Sequence, residues 1–175
     1  MDTSFNRSSF IRRYFMTTAV SRVLATNNSL AGLALRIPAG IIFTAHGAQK
    51  LFGSFGGNGL QGTGQWMASI GLEPGYLMAL LAGGAEFFGG LALLIGLATR
   101  PAALSLAFTM LVAIFAVHFP NGLFMDNGGY EFGLSLLAIS VALAISGGGR
   151  YSVDRKLTTT ESQDDAEPAG VLSTS

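Results

Sequence analysis

The sequence predicts an all-α membrane protein, a four-helix bundle whose two termini both lie in the cytoplasm. Half of the 175 residues are hydrophobic and only 11% are charged, whereas soluble domains carry about 25% charged residues. Four apolar stretches follow one another, each about 17–23 residues long, which is the length that crosses a bilayer as a helix. The basic residues cluster on one side of these stretches. Because the chain has no cysteine, disulfides, thiolate catalysis and cysteine-ligated metal centres are excluded.

The residues that flank the apolar stretches are typical of helix ends. Backbone groups in hydrocarbon must pair within the protein, and stretches without strict alternation do so as helices rather than as barrel strands. Pro74 precedes the second stretch, Pro101 opens the third, and three glycines from Gly147 close the fourth, all positions typical of helix ends. The four predicted spans are Leu30–Phe52, Tyr76–Leu97, Pro101–Phe119 and Tyr130–Ser146.

The distribution of arginine and lysine predicts the topology. Neither the connection 53–75 nor the connection 120–129 contains a basic residue. The basic residues outside the spans lie at the other ends of the stretches: Arg7, Arg12, Arg13, Arg22, Arg100, Arg150, Arg155 and Lys156. The positive-inside rule then places both termini in the cytoplasm, and we expect a multi-pass protein of the bacterial plasma membrane with the lipid bilayer around it. The formal net charge of +0 gives no support to nucleic-acid binding.

The chain divides into three parts. Residues 1–29 form a basic cytoplasmic arm, which is either a short interfacial helix or a disordered segment. Residues 30–152 form the transmembrane bundle. Residues 153–175 are rich in Ser, Thr, Asp and Glu, and this composition predicts a disordered cytoplasmic tail. Within the first outer connection, Trp66, Met67 and Ile70 predict a short helix at the outer interface, with Trp66 as an anchor or with the helix as a lid.

Six ionisable residues fall inside or at the edge of the spans, where charge is costly and marks a candidate binding cluster. They are Arg36, His46, Lys50, Glu86, His118 and Glu131. A rise of about 1.5 Å per residue places Arg36 in the inner third and Glu86 near the midplane, so we expect these two to pair. The other four should form a second cluster at the outer end.

These residues allow structural and functional interpretations. The Arg36–Glu86 pair could fix helix register, or it could belong to a pocket or proton path. His46 and His118 with Glu131 could in principle bind a metal, but two histidines without local spacing give weak support, and we predict no metal site. The imidazoles could instead donate hydrogen bonds to a quinone carbonyl.

Several motifs together resemble the DoxX family of small bacterial membrane proteins. The resemblance is carried by Arg36–Gly40, His46–Leu51, Glu86–Gly90, Gly96–Arg100 and the closing Gly147–Asp154, with His118 in the third span. It extends from about Leu30 to Asp154, and the basic N-terminal arm departs from the pattern.

The resemblance implies a four-helix bundle in a bacterial plasma membrane and, through some relatives, quinone-linked membrane redox chemistry carried out with a partner protein. Arg36, His46, Lys50, Glu86 and His118 carry over as polar positions, while no catalytic residue does. Two alternatives stay open: a small-solute or proton-coupled transporter, which would need a homo-oligomer, and a non-catalytic scaffold subunit. The sequence does not decide whether the protein is an enzyme, and quinone is the one cofactor it suggests.

Overall fold

The computed structural model describes the backbone of residues 24–164 and the side chains of residues 24–159. This part of the chain is helical, without strands. Most of the predicted basic arm and residues 165–175 lie outside it. The helices are α1 (Leu30–Phe52), α2 (Gly59–Ser69), α3 (Gly75–Ile95), α4 (Thr99–Ala113), α5 (Glu131–Ser146) and α6 (Val153–Asp164).

Four helices form a closed bundle, which confirms the predicted fold class. The most extensive packing joins α1 to α3 and α4 to α5, and smaller contacts between α3 and α4 and between α1 and α5 complete the ring. Beyond its α-helical part, α4 continues through a π-helical turn, Ile114–His118, and a 3-10 turn, Phe119–Asn121. With this continuation, α4 joins α1 and α3 in being long and apolar enough to cross a membrane. The shorter α5 has 16 residues.

The start of α1 and the end of α5 meet at one end of the bundle. The backbone N–H of Arg150 donates to the Ser29 carbonyl (3.0 Å), and the N–H of Asn27 donates to the Ser146 carbonyl (3.3 Å). We call this the terminal end, and the opposite end, which carries α2 and residues 119–130, the loop end. That the terminal end faces the cytoplasm stays a prediction.

Glycines set the contact and the register between α1 and α3. The Cα of Gly47 lies against the backbone of Phe87, so that a Cβ there would come within 2.6 Å of Phe87 Cα. The Cα of Gly90 lies against Thr44 in the same way, with 2.5 Å between a built Cβ and the Thr44 backbone nitrogen. Real side chains do not approach so closely, so only glycine allows these two backbones to touch.

Both the interior and the outward surface of the bundle are apolar. The core consists of Ala39, Phe43, Leu93, Ala103, Leu106, Met110, Leu136 and Leu143. Large apolar side chains also point outward from every long helix, among them Ile41, Leu81, Phe88, Phe108 and Ile145. Soluble helices present a polar face to water. A bundle that is apolar both inside and on its outer surface is therefore typical of helices that lie in lipid.

The tail composition predicts disorder from residue 153 onward, but Val153–Asp164 form helix α6. Its first turn is anchored, because Ser152 Oγ accepts the N–H of Arg155 (3.2 Å) and both Ser152 and Asp154 are buried at 1% exposure. A capped and buried first turn lets a polar segment continue as a helix that its composition alone would not support.

Candidate functional site

The structure divides the six predicted site residues among three places. Arg36 lies at the terminal end. His46, Lys50 and Glu86 lie together within the span, on the facing helices α1 and α3. His118 and Glu131 lie at the loop end.

The Arg36 guanidinium is buried (2% exposed) and bonded throughout to main-chain carbonyls. Nη1 donates to the carbonyls of Leu93 (2.9 Å) and Leu94 (2.5 Å), which belong to the last turn of α3. Nε donates to the Gly148 carbonyl (3.1 Å), and Nη2 to the Tyr151 carbonyl (2.8 Å). Carbonyls at a helix C-terminus lack intrahelical partners and carry partial negative charge. Arg36 therefore caps α3 and binds it to the segment after α5.

The predicted pairing of Arg36 with Glu86 is wrong. All the bonds of Arg36 go to main-chain carbonyls, and Glu86 binds Lys50. The depth estimate assumed that the helices start level with one another, but α1 extends past the end of α3 at the terminal end. Arg36 consequently sits at that helix end, below the level of Glu86.

At the terminal end, Asp154 caps the start of α4 as Arg36 caps the end of α3. The sequence analysis did not single out Asp154. Its carboxylate accepts the N–H groups of Ala98 (2.6 Å) and Thr99 (2.8 Å), the first donors of α4. Its charge also acts on Arg36. The available signal was the absence of a capping side chain before Thr99, since Ala98 occupies the N-cap position and Ser, Thr, Asp or Asn is expected there.

Lys50 and Glu86 form an ion pair inside the span. Lys50 Nζ lies 2.5 Å from Glu86 Oε2, and the two side chains are 24% and 4% exposed. Glu86 lies near the middle of α3 (Gly75–Ile95), about 14 Å along the axis from Ile95. Of the three donors of the ammonium group, one is used within the described part of the chain. Lys50 belongs to the last turn of α1, and its side chain reaches Glu86; that this turn lies at the outer edge of the membrane stays a prediction.

Helix α2 packs beside the last turn of α1, which contains Lys50. Thr63, Gly64 and Met67 are its buried residues, and its main packing partner is α3. The Thr63 hydroxyl donates to the Lys50 carbonyl (3.4 Å). Its Trp66 is exposed and its Met67 is buried, and whether Trp66 is an interfacial anchor or the helix is a lid stays a prediction.

His46 lies one helical turn before Lys50 and is exposed on the outside of the bundle. Its ring is tilted against the ring of Phe132 on α5, with centroids 6.2 Å apart, and the charge of Lys50 acts on it. Neither ring nitrogen has a hydrogen-bond partner among the residues that the structure describes. Because Gly47 is level with Phe87, the imidazole lies well within the span of α3.

His118 and Glu131 organise the loop end and do not join the other residues. His118 Nδ1 lies 2.7 Å from the Gly128 carbonyl oxygen. The Glu131 carboxylate accepts the N–H of Met125 (2.6 Å). The expected cluster of His46, Lys50, His118 and Glu131 is thus not formed. Within residues 24–164, no group of three or more His, Cys, Asp and Glu side chains is placed to hold a metal ion.

Comparison with known proteins identifies the family. The family model described as DoxX matches residues 31–119. The chain belongs to the DoxX family. It is 38% identical over 122 residues to the "Putative oxidoreductase CatD" of Bacillus subtilis, covering 70% of this chain and 83% of that protein. It is 38% identical over 131 residues to the "Inner membrane protein YqjF" of Escherichia coli, covering 71% and 90%. No solved structure matches the chain.

As a DoxX protein with these spans, it is a multi-pass protein of the bacterial inner membrane. The part matched by the DoxX model contains Arg36, His46, Lys50 and Glu86. Asp154 lies beyond this part, although it acts at the start of α4, which lies within it.

Proposed function

We propose that this DoxX protein supports quinone-linked redox chemistry in the membrane together with a partner protein. The observation that carries the proposal is His46, an imidazole on the outer surface of the bundle, inside the span, without a hydrogen-bond partner in the described chain. A polar group left unpaired in hydrocarbon costs several kcal/mol, on the order of a lost hydrogen bond. A partner from outside the chain is therefore expected.

A quinone meets the requirements of this position. It dissolves in the acyl-chain region, its carbonyl oxygens accept hydrogen bonds, and its flat ring packs against aromatic side chains. Phe132 supplies an aromatic ring beside His46. His46 would hold the carbonyl by donating from a ring nitrogen, and Phe132 would orient the ring.

Lys50 and Glu86 would exchange protons next to this position. When bound, a quinone takes up two electrons and two protons and becomes a quinol. Lys50 has two N–H donors that no residue in the described chain uses, and its charge acts on His46. Lys50 would give up one proton at a time, and Glu86, the carboxylate of the pair at 3% exposure, would take up each replacement proton from the aqueous phase and pass it to Lys50. Since the chain has no cysteine for an iron–sulfur cluster, the electrons would come from the redox centre of the partner protein. The name of the relative from Bacillus subtilis, a putative oxidoreductase, agrees with this class of chemistry.

Quinone content of the purified protein tests the proposal. The full chain is extracted in mild detergent with its native lipids, and quinone per protein is measured by liquid chromatography and mass spectrometry. We expect His46→Phe to retain about tenfold less quinone, which corresponds to about 1.4 kcal/mol. Ser135→Ala is the matched control, because it removes an exposed hydroxyl that bonds only to its own helix, and it should retain the wild-type amount. Equal quinone content in all three proteins, or none in the wild type, would overturn the proposal.

The ion pair itself favours proton-coupled transport as a second candidate. A carboxylate at mid-span with a lysine partner is a typical proton-relay arrangement. A small-solute flux in proteoliposomes that Glu86→Gln abolishes, and that needs no quinone, would select this alternative. A partner chain cross-linked through position 46, with no ligand and no flux, would select a scaffold role instead.

A further inference from the structure

We propose that the loop before α5 inserts apolar side chains into the membrane at the loop end, at the boundary between acyl chains and headgroups. This loop comprises residues 122–130, and we call it the apolar loop. Leu123, Phe124 and Met125 follow one another in it and are 41%, 63% and 59% exposed. Three consecutive exposed apolar side chains are atypical of a loop in water and mark a contact surface. The inference does not depend on the proposed quinone function.

The main chain of the apolar loop pairs largely with its own segment. Gly129 lies so close to the Gly122 carbonyl that a Cβ would not fit between them, so the two limbs of the loop touch. Irregular backbone can approach hydrocarbon only when its polar groups are paired within the protein. Most N–H groups of the loop and of the first residue of α5 have acceptors within residues 119–131, namely those of Gly122, Met125, Asn127, Gly128, Gly129, Tyr130 and Glu131.

Polar side chains at the loop end bind the main chain of the apolar loop and so hold its shape. The Glu131 carboxylate accepts the N–H of Met125 (2.6 Å). His118 Nδ1 lies 2.7 Å from the Gly128 carbonyl oxygen, and Asn121 Nδ2 donates to the same oxygen (3.3 Å). These side chains are thus used inside the loop, while its large apolar side chains are left on its surface.

The length of α5 favours lipid over a protein as the occupant of this surface. Its 16 residues extend over about 24 Å, which is less than the hydrocarbon core of about 30 Å. At the terminal end, Arg150 follows α5 within four residues, and an arginine marks the headgroup level. The missing apolar length therefore falls at the loop end, where Leu123, Phe124 and Met125 supply it.

The neighbours of these side chains fit the boundary rather than the middle of the membrane. Phe119, at one end of the apolar loop, stacks on Tyr130 at the other, with ring centroids 5.8 Å apart. Aromatic residues are enriched where the membrane meets water. Asp126 is exposed in the same turn as Met125, and its carboxylate requires water or headgroups. Only a boundary position suits the carboxylate and the apolar side chains together.

Spin labelling of the full chain in phospholipid vesicles tests the inference. Because the chain contains no cysteine, Phe124→Cys carries a single nitroxide. Its collisions with oxygen, which dissolves in hydrocarbon, and with a polar nickel chelate, which stays in water, are measured by electron paramagnetic resonance. Ile41→Cys, on the outward surface of α1, is the hydrocarbon reference, and Asp126→Cys is the matched control in the same loop.

We expect the oxygen-to-nickel collision ratio at position 124 to exceed that at position 126 by about fivefold or more and to approach that of Ile41→Cys. If Phe124→Cys does not fold, Leu123→Cys takes its place with the same expectation. A ratio at position 124 no higher than at position 126 would place the loop in water and overturn the inference. Low collision rates with both reagents would overturn it too, and would assign the surface to contact with a second copy of the chain.

Discussion

Arg36 and Lys50 are two cations on one helix, and their surroundings could hardly differ more. Arg36 uses four bonds to main-chain carbonyls, at the ends of α3 and α5. Lys50 makes one bond, to the carboxylate of Glu86. Arg36 thus uses four of its five N–H donors within the protein, whereas Lys50 uses one of its three. The comparison indicates that a charge within a membrane span is not functional by its presence alone, and that its unused bonding capacity is the better guide.

The largest effect should come from Arg36→Met. The substitution removes the Arg36 donor from four buried or partly buried carbonyls, of which that of Leu93 keeps the N–H of Gly96. Each buried group left unpaired costs about 1–3 kcal/mol, without strict additivity. We expect the free energy of unfolding to fall by about 4 kcal/mol or more, measured by denaturation in detergent. Arg36→Lys should recover only part of this loss, because an ammonium group cannot reproduce the planar fork. A loss below about 1 kcal/mol would break the assignment of Arg36 as a structural cap.

Neutralising Glu86 should have the next largest effect on the free energy of unfolding. A double variant then tests whether Glu86 and Lys50 act as a pair. Glu86→Gln leaves the Lys50 charge without its counter-charge, which costs about 3 kcal/mol for a buried pair. Adding Lys50→Met removes that charge too, and we expect most of the stability to return, because apolar replacement of a whole pair is often neutral. The same denaturation assay measures both variants. Additive losses would show that the two residues do not act as a pair.

The double variant also separates stability from function. If the pair serves only to hold the helices together, the refolded double variant keeps its activity or its quinone. If the pair exchanges protons, the variant folds and loses function. Arg36 offers no equivalent test, since every one of its contacts is structural.

Asp154→Asn should have a moderate and local effect. The carboxylate caps two N–H groups, and an amide can accept only through its one oxygen. Loss of a helix cap costs about 1–2 kcal/mol. We expect faster hydrogen exchange at residues 98–102, the first turn of α4, with little change at the loop end. Asp126→Asn, in an exposed 3-10 turn, is the control, and equal effects from the two substitutions would contradict the capping role.

The smallest loss of stability should come from His46→Phe. The imidazole makes no hydrogen bond within the described residues, so the substitution breaks none, and replacing an unpaired polar group in the span with an apolar ring should not lower the free energy of unfolding. A loss of several kcal/mol would mean that His46 is a structural residue like Arg36, and the contrast between the two regions would fail.

The sequence predicted the helices well because hydropathy and span length depend on local composition. Leu30–Phe52 matches α1, and α3, α5 and α4 with its continuation to Asn121 lie within two residues of their predicted ends. The prediction failed where the relative depth of helices matters. Pairing Arg36 with Glu86 needed the register between α1 and α3, and that register depends on Gly47 meeting Phe87, a contact that neither helix reveals alone.

The candidate site was predicted as a list of residues but not as an arrangement. The sequence singled out His46, Lys50 and Glu86, and the structure places them together. The prediction also grouped His118 and Glu131 with His46 and Lys50, because all four lie near helix ends. The sequence does not show that the side chains of His118 and Glu131 bind nearby main-chain groups instead. Asp154 was missed since its two donors lie more than 50 residues away in the chain.

The glycine contact between α1 and α3 bears on how the molecule could move. Backbones in direct contact cannot slide without collision, so α1 and α3 behave as one rigid half, and the closely packed α4 and α5 as another. Arg36 and Asp154 add hydrogen bonds at the terminal end, whereas along the bundle the two halves meet through the apolar core. We therefore expect any separation of the halves to begin at the seam where His46 meets Phe132, away from the terminal end.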